Sequence, residues 1–433
     1  MTNPNSNQVR TRFAPSPTGF MHLGNLRTAL YAWLFARANE GTFILRIEDT
    51  DQSRYVEGAV DVILDTLMQC GLDWDEGPIV QSERKDEYRK YALELVEKGL
   101  AYHDEGAIRQ RVPKEGATTF SDSIYGDITV QNSEIEEQVL LKSDGMPTYN
   151  FANVIDDHLM GITHIIRGNE YLSSTPKYNL LYEAFGWEIP TYIHVPQIMR
   201  DATHKLSKRD GDAYFSDYVS KGYLTPAIIN YIALLGWSPK GELAEQEIFT
   251  LDELVAAFGT EGISKSPAIF DLEKLRAINA EHIRRLPLDE FTKFARPYIG
   301  EFDIDYAILC AALQPRTEVL TDIGEQVGFI ETVGMYSPNV YMNKKMKTAP
   351  DTALEALKAV LAVLEQGDFV KERIFEELKA VAESNERKVG WYLYPLQVAL
   401  SGKTTVPGGG LDICIMFGKD ESVRRVKAAM ELL

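Results

Sequence analysis

The chain has 433 residues, 45% of them hydrophobic and 25% charged, the balance of an ordinary soluble globular protein with roughly three or four structural units of about 100 to 200 residues each. Its net charge of −19 argues against a nucleic-acid partner unless basic residues are segregated on one face, because such affinity is normally drawn from phosphate neutralisation by Lys and Arg. Three widely spaced cysteines, Cys70, Cys310 and Cys414, exclude a disulfide frame and a cysteine metal cluster, and no stretch reaches the ~18 uncharged apolar residues that a membrane span needs.

In chain order, Val9 to Ala14 alternates apolar with polar residues as a strand does, and Leu26, Leu30, Trp33 and Leu34 recur at helical spacing. Between them the segment from Pro15 to Asn25 reads as a turn at a helix N-terminus, where backbone N–H groups and the helix dipole favour phosphate. Gly19 and Gly24 allow close backbone approach there, and His22 stands as a donor. Thr42 to Ile47 reads as a buried strand that ends in Glu48, Asp49 and Asp51. Acidic residues at a strand's carboxyl end lie where doubly wound sheets bind ligands.

A helix is predicted from Gln81 to about Lys98 with Ser82 as its N-cap. The text from about 81 to 150 is less regular and reads as an insertion. The alternating pattern resumes at about 151, with a strand over Thr163 to Arg167, a helix begun by Thr175-Pro176 and a strand over Thr191 to Val195. Beyond 215 the chain turns helical. Leu354, Leu357, Leu361 and Leu364, and then Ile374, Leu378 and Val381, predict a bundle in the C-terminal third. Short basic stretches occur at Arg284-Arg285, Lys344-Lys345, Arg387-Lys388 and Arg424-Arg425, and each reads most simply as a solvated face.

Lys205-Leu206-Ser207-Lys208-Arg209 completes a pattern begun by His22. A loop with two lysines suits a pyrophosphate leaving group, whose developing charge needs donors that close on it in the transition state. The two segments together resemble the HIGH and KMSKS signatures of class I aminoacyl-tRNA synthetases. Flanking text narrows the resemblance to the bacterial-type glutamyl-tRNA synthetases: Arg12 to Gly19, Arg46 to Asp51, Leu140 to Tyr149, Asn153 to His158, the K-L-S-K-R form and, near the end, Pro395 to Gly402 and Phe417 to Asp420.

That resemblance implies an α/β fold. A Rossmann-like catalytic domain over 1–80 and 151–195 would carry an acceptor-stem-binding subdomain inserted at 81–150. A stem-contact region over 196–312 would hold the lysine-rich loop, and an all-α anticodon-binding domain would occupy 313–433. It also implies ATP-dependent ligation of L-glutamate to tRNA(Glu) through a glutamyl-adenylate, by a cytoplasmic monomer with no membrane partner. His22, Lys205 and Lys208 would be catalytic. Pro15, Gly19, His22, Gly24, Asn25, Lys205, Ser207, Lys208 and Arg209 would contact ATP, which would arrive with Mg²⁺.

A pocket for glutamate must hold two carboxylates and one ammonium, and an arginine fork matches a carboxylate bidentately where lysine cannot. The family pattern carries over onto Arg12, Ala14, Ser16, Glu48, Tyr149, Asn153 and Arg167. Glu48 would take the α-ammonium and Tyr149 and Asn153 the side-chain end; which arginine takes which carboxylate stays open. Many relatives hold zinc in the insertion, on cysteines just after the position of Tyr102-His103. Here Asp104-Glu105-Gly106 follows and no cysteine occurs between Cys70 and Cys310. Zinc needs about four N or S ligands, so none is expected, and the insertion is shorter than the family's usual form. Two alternatives remain: relaxed tRNA choice that also charges tRNA(Gln), and an inactive synthetase-like module that binds tRNA or a protein.

Overall fold

The computed structural model describes residues 8–204, 206 and 213–433, so Lys205, Ser207, Lys208 and Arg209 lie outside the described residues. The backbone divides into two compact units, one of the described residues up to 220 and 224–278, the other of 221–223 and 279–433.

In the first unit, strand β1 (Arg10–Phe13), helix α1 (Leu23–Ala38) and strand β2 (Thr42–Ile47) form a parallel crossover, in which Arg12 pairs with Ile44. Helix α2 (Ala59–Gln69) leads to β3 (Glu76–Val80), again parallel to β2. Strand β2 reads Phe-Ile-Leu-Arg-Ile and is buried from Phe43 onward, as parallel strands covered on both faces are. Arg46 alone breaks the apolar run.

Helix α3 (Lys85–Glu97) starts later than the sequence predicts. A 3₁₀ turn occupies Gln81–Arg84, and no side chain caps either element. Instead the Ser82 N–H donates to Asp49 Oδ1 at 2.8 Å, so a carboxylate from the end of β2 anchors the turn where a Ser82 cap was expected.

Strands β4 (Ala101–Asp104) and β5 (Ala107–Gln110) form a hairpin. The hairpin of β6 (Ala117–Asp122) and β7 (Gly126–Gln131) follows, and then β8 (Val139–Leu141), which pairs with β5. Helix α4 (Tyr149–Leu159), strand β9 (His164–Gly168), helix α5 (Thr175–Phe185) and strand β10 (Thr191–Val195) complete the core, with Pro176 in the first turn of α5. Tyr88 and Leu95 of α3, Leu140 of β8, Phe151 and Ile155 of α4 and Leu181 of α5 pack into one apolar cluster. Strand β6 pairs in parallel with β10, which pairs in parallel with β9, giving the order β7-β6-β10-β9. The first hairpin strand of the 117–131 segment thereby widens the nucleotide-fold sheet.

Strand β9 lies beside β1, where the Thr163 N–H donates to Arg10 O at 3.0 Å. The chain thus builds outward from β1 through β2 to β3, and outward on the other side through β9 to β10. Their border is a topological switch point, and the crevice at the carboxyl ends of the strands there is where such sheets bind ligands.

The unit continues with β11 (Ile198–Met199), α6 (Phe215–Ser220), α7 (Thr225–Leu234), α8 (Leu251–Ala257) and β12 (Ala268–Ile269), which pairs with β11. Helix α8 opens on a capping box: Thr250 Oγ1 accepts the Glu253 N–H, and the Glu253 carboxylate accepts the Thr250 N–H. Helix α9 (Leu272–Arg285) spans the boundary between the units.

The second unit holds α10 (Leu288–Ile299), α11 (Tyr306–Leu313), α12 (Ile323–Val327), α13 (Pro350–Gln366), α14 (Lys371–Ser384), α15 (Gly390–Ser401) and α16 (Gly410–Leu432). Its described regular elements are all helical. The buried face of α13 is Ala353, Ala356, Leu357, Val360, Val363 and Leu364, one position around from the predicted leucine stripe, and Leu354 and Leu361 are only half-buried. Small Ala353 and Ala356 permit closer approach than leucine would, so they win the interface. Helix α14 likewise buries Ile374, Leu378 and Ala382 rather than Val381. Helix α16 is broken at Gly418, whose φ of 77° suits glycine.

The basic stretches are mostly committed locally. Arg284 and Arg285 both pair with Glu281, and Arg424 pairs with Glu421. Arg425 is buried and donates to the carbonyls of Phe329, Leu400 and Ile330, so it ties three segments together rather than facing solvent. All three cysteines are buried and unpaired. Among the described residues no helix is long and apolar enough to cross a membrane.

Candidate active site

A cavity of about 240 Å³ opens at the switch point, lined from β1 and the turn after it by Arg12, Ala14, Pro15 and Ser16, and from α1 by Asn25. Glu48 reaches it from the end of β2, Tyr149 from the start of α4, and Arg167 from β9. A second cavity of about 320 Å³ shares Ser16, Glu48 and Tyr149 and extends to Asp51 and Tyr55. Seven residues predicted from separate motifs therefore meet where the fold places a ligand, joined by Asn25. Asn153 is not among the lining residues; it is buried one turn further along α4 and donates to the Tyr149 carbonyl at 3.1 Å.

The turn before α1 is tied to the end of β2, because the Glu48 N–H donates to Pro15 O at 3.0 Å. Gly19 sits at φ 125°, a conformation that a side chain would strain. His22 is the N-cap of α1, and its Nδ1 accepts the Gly24 N–H at 3.0 Å. In a neutral imidazole an accepting Nδ1 leaves the proton on Nε2, so the cap fixes the ring as an Nε2–H donor at the positive end of the helix dipole. A Cβ at residue 24 would stand 3.3 Å from that same Nδ1, so a side chain there would crowd the cap. Neither Gly19, His22 nor Gly24 lines the cavity of Arg167; they flank it.

Beneath the cavity lies a buried charge network that the sequence reading did not anticipate. Arg46 donates to Glu48 at 3.0 Å and to Asp157 at 2.8 Å, with Asp156 at 3.8 Å. Arg12 donates to both oxygens of Asp157, at 3.0 and 3.4 Å. Asp156 in turn accepts from Gln81, Arg84 and Tyr88. Desolvation pushes the Asp157 carboxyl up, but attraction from Arg12 and Arg46 outweighs it and holds the group below the ordinary aspartate range. Glu48 goes the other way. Burial raises it to about 7, and Arg46 and Arg12 offset that only in part, so a cation entering the cavity would restore its full charge. The signal for this network was Arg46 within an apolar strand, since a buried arginine demands carboxylates.

Arg167 is 4% exposed. Its Nε donates to His194 Nε2 at 3.0 Å and its Nη2 to Thr175 Oγ1 at 2.9 Å, while rings of Tyr171, Tyr178 and Tyr192 surround the guanidinium. Nη1 is buried without a hydrogen-bond partner. An unmatched guanidinium N–H is costly, and a ligand carboxylate in the cavity would satisfy it. Opposite charges thus face one cavity: a carboxylate able to take an ammonium and an arginine able to take an anion. Among the described residues no group of three or more His, Cys, Asp or Glu side chains could hold a metal ion.

Comparison with known proteins agrees with this arrangement. Residues 8–107 and 105–277 match the family described as tRNA synthetases class I (E and Q), catalytic domain, and residues 288–430 match an anticodon binding domain family. Fold and site together make the chain a class I aminoacyl-tRNA synthetase. The glutamate–tRNA ligases of Clostridium botulinum strain Eklund 17B and Clostridium tetani are 49% and 48% identical, each alignment covering 99% of both chains. The crystal structure of a glutamate–tRNA ligase from Elizabethkingia meningosepticum superposes with a TM-score of 0.88 at 31% identity, over 99% of this chain and all of that one. The chain belongs to the glutamate–tRNA ligase family. The alignment with the first relative spans 489 positions, more than the 433 residues here, so that relative holds segments that this chain lacks.

Proposed function

We infer that the chain couples ATP to the joining of glutamate to tRNA(Glu), and that the cavity of Glu48 and Arg167 is the amino-acid site. The observation that carries the placement is the unpartnered Arg167 Nη1 opposite a buried carboxylate in one cavity. Nη1 is itself buried, so it suits the side-chain carboxylate; the α-carboxylate has to stay exposed to ATP. Glu48 takes the α-ammonium, with Arg12, Ala14, Ser16 and Tyr149 around the substrate and Asn153 supporting Tyr149.

No protein nucleophile is needed in this reading. The α-carboxylate oxygen attacks the α-phosphorus of ATP, the bond to the bridging oxygen breaks, and pyrophosphate departs with the electron pair. The terminal 2′-hydroxyl of the tRNA then attacks the acyl carbon and AMP leaves. Catalysis is alignment plus stabilisation of charge. His22 Nε2–H at the start of α1 faces the phosphates, Lys205 and Lys208 close on pyrophosphate with Ser207 and Arg209, and Mg²⁺ accompanies ATP. Residues 81–150 would grip the acceptor stem, 196–312 the stem below it and 313–433 the anticodon, in a monomer of the cytoplasm. The match of 288–430 to an anticodon binding domain supports the last role.

The deciding experiment is aminoacylation with labelled glutamate, run side by side on purified tRNA(Glu) and tRNA(Gln). Charging of tRNA(Glu) alone is expected. Charging of both would establish relaxed tRNA choice, and charging of neither would remove the ligase reading.

Lys208→Ala should lower adenylate formation by roughly 10²- to 10³-fold, the usual loss for one electrostatic donor, with glutamate affinity near normal. An unchanged rate of ATP–pyrophosphate exchange in the presence of tRNA would refute its role. The absence of cysteines near Tyr102-His103 leads to a further expectation: purified protein should carry no stoichiometric zinc and keep its activity after zinc chelation once Mg²⁺ is restored. Elemental analysis that finds about one zinc per chain would show that His103 and acidic neighbours replace the thiolates.

A further inference from the structure

Three buried polar side chains on neighbouring strands stand in a row behind the amino-acid cavity: Asp122 at the end of β6, His194 on β10 and Arg167 on β9. Only Arg167 lines the cavity. Asp122 Oδ1 accepts the backbone N–H groups of Ile124 and Tyr125 at 2.9 and 2.8 Å. Its Oδ2 accepts the backbone N–H of His194 at 3.1 Å and stands 2.6 Å from that residue's Nδ1. On the far side of the ring, Nε2 stands 3.0 Å from Arg167 Nε.

The chemistry of these neighbours leaves one tautomer. A carboxylate accepts and cannot donate, so Nδ1 carries the proton; an arginine Nε–H donates and cannot accept, so Nε2 offers a lone pair. Burial lowers the ring's pKa to about 4, against the opposing pull of Asp122, in keeping with a neutral imidazole. Thr175 Oγ1 is equally committed, since it donates to Tyr171 O at 2.9 Å and accepts from Arg167 Nη2. With Nε and Nη2 held from behind, Nη1 is the donor left for a ligand.

We propose that Asp122 and His194 are positioning residues for amino-acid binding: Asp122 locks His194 in its Nδ1–H tautomer, and the Nε2 lone pair so created holds Arg167 with Nη1 presented to the substrate's side-chain carboxylate. The proposal deepens the assignment of Arg167 given above and rests on it. It also gives the β6–β7 hairpin a task in amino-acid selection, since β6 supplies Asp122.

Asp122→Asn tests the lock. Its amide oxygen stays on the Ile124 and Tyr125 N–H groups, which turns the NH₂ toward His194 Nδ1 and gives up the hydrogen bond from the His194 backbone N–H. The ring must then accept at Nδ1 and carry its proton on Nε2, so two donors face each other at Arg167. The KM for glutamate should rise roughly 10- to 100-fold, the value of a hydrogen bond to a charged group, while the KM for ATP stays near normal. Nitrogen-15 spectra of histidine-labelled protein should show the His194 proton on Nδ1 in the parent chain and on Nε2 in the variant.

Should Asp122→Asn fail to fold, the pair His194→Gln and His194→Leu asks the same question. The glutamine variant should keep glutamate affinity near that of the parent and the leucine variant should lose it. Arg167→Ala, measured alongside, separates the two layers. A raised KM for glutamate in Arg167→Ala with a normal one in Asp122→Asn, the tautomer having switched, would overturn the positioning role alone. Equal affinities in the glutamine and leucine variants would do the same. An unchanged KM for glutamate in Arg167→Ala would overturn the assignment of Arg167 and the proposal with it.

Discussion

Replacing Arg167 with alanine is expected to reduce kcat/KM for glutamate by roughly 10²- to 10³-fold, because losing one partner of a buried, hydrogen-bonded charge pair costs about 2–5 kcal/mol. The guanidinium is 4% exposed, enclosed by tyrosine rings, and keeps Nη1 without a protein partner. A carboxylate drawn from water into the cavity would lose that donor, since Arg12, the other arginine lining it, is already engaged by Asp157. The loss should fall on the KM for glutamate, and the KM for ATP should change little, since the phosphate contacts are assigned to other residues, His22 and the two lysines. Arg167→Lys should recover little, because an ammonium lacks the planar fork that reaches His194, Thr175 and the substrate together. Aminoacylation kinetics with glutamate varied at saturating ATP and tRNA measures this; equal KM values in the parent and alanine proteins would remove Arg167 from the pocket.

Asp157→Ala should produce the largest loss of stability. The carboxylate is wholly buried between Arg12 and Arg46, and its removal leaves two guanidinium groups in the interior with fewer counter-charges. Breaking a buried ion pair from one side costs about 3–5 kcal/mol, and Arg12 keeps only a 3.5 Å approach to Ile166 O among its described hydrogen bonds. Denaturant unfolding of the whole chain should show the first unit melting early while the helical unit keeps its own transition. Asp157→Asn should be milder, because an amide oxygen still accepts from one arginine. Unfolding midpoints equal to the parent's in Asp157→Ala would mean that Asp156 and Glu48 neutralise both arginines unaided.

Most of the local structure was legible in the chain. Strands Thr42–Ile47 and Thr191–Val195 have the predicted bounds, since a short run rich in β-branched and aromatic residues and flanked by turn residues favours a strand. Thr175-Pro176 marked the start of α5 because proline in the first turn sacrifices no hydrogen bond. Helix existence in the C-terminal third was equally clear. Which face turns inward was not, because Ala353 and Ala356 displace Leu354 and Leu361 by the closeness of approach they allow, a property of the neighbouring helices.

The residue types needed for the chemistry, their order and their membership of motifs were determined by the sequence alone: a histidine in a glycine-flanked turn, an acidic residue at the end of a strand, and two arginines far apart in the chain. That the acidic residue and both arginines meet at one cavity, with the histidine flanking it, was decided by the tertiary structure, which sets β1 beside β9. Roles within that set were also a tertiary matter. Arg12 and Arg167 look alike as letters, yet Asp157 engages one while His194 and Thr175 leave a donor open on the other. The same holds for Glu48 and Asp49. Adjacent and both acidic, one faces the cavity and the other closes a turn on the Ser82 N–H. A side chain's chemistry is local, but its partners come from strands and helices tens of residues away, and it is those partners that determine which group is left for the substrate.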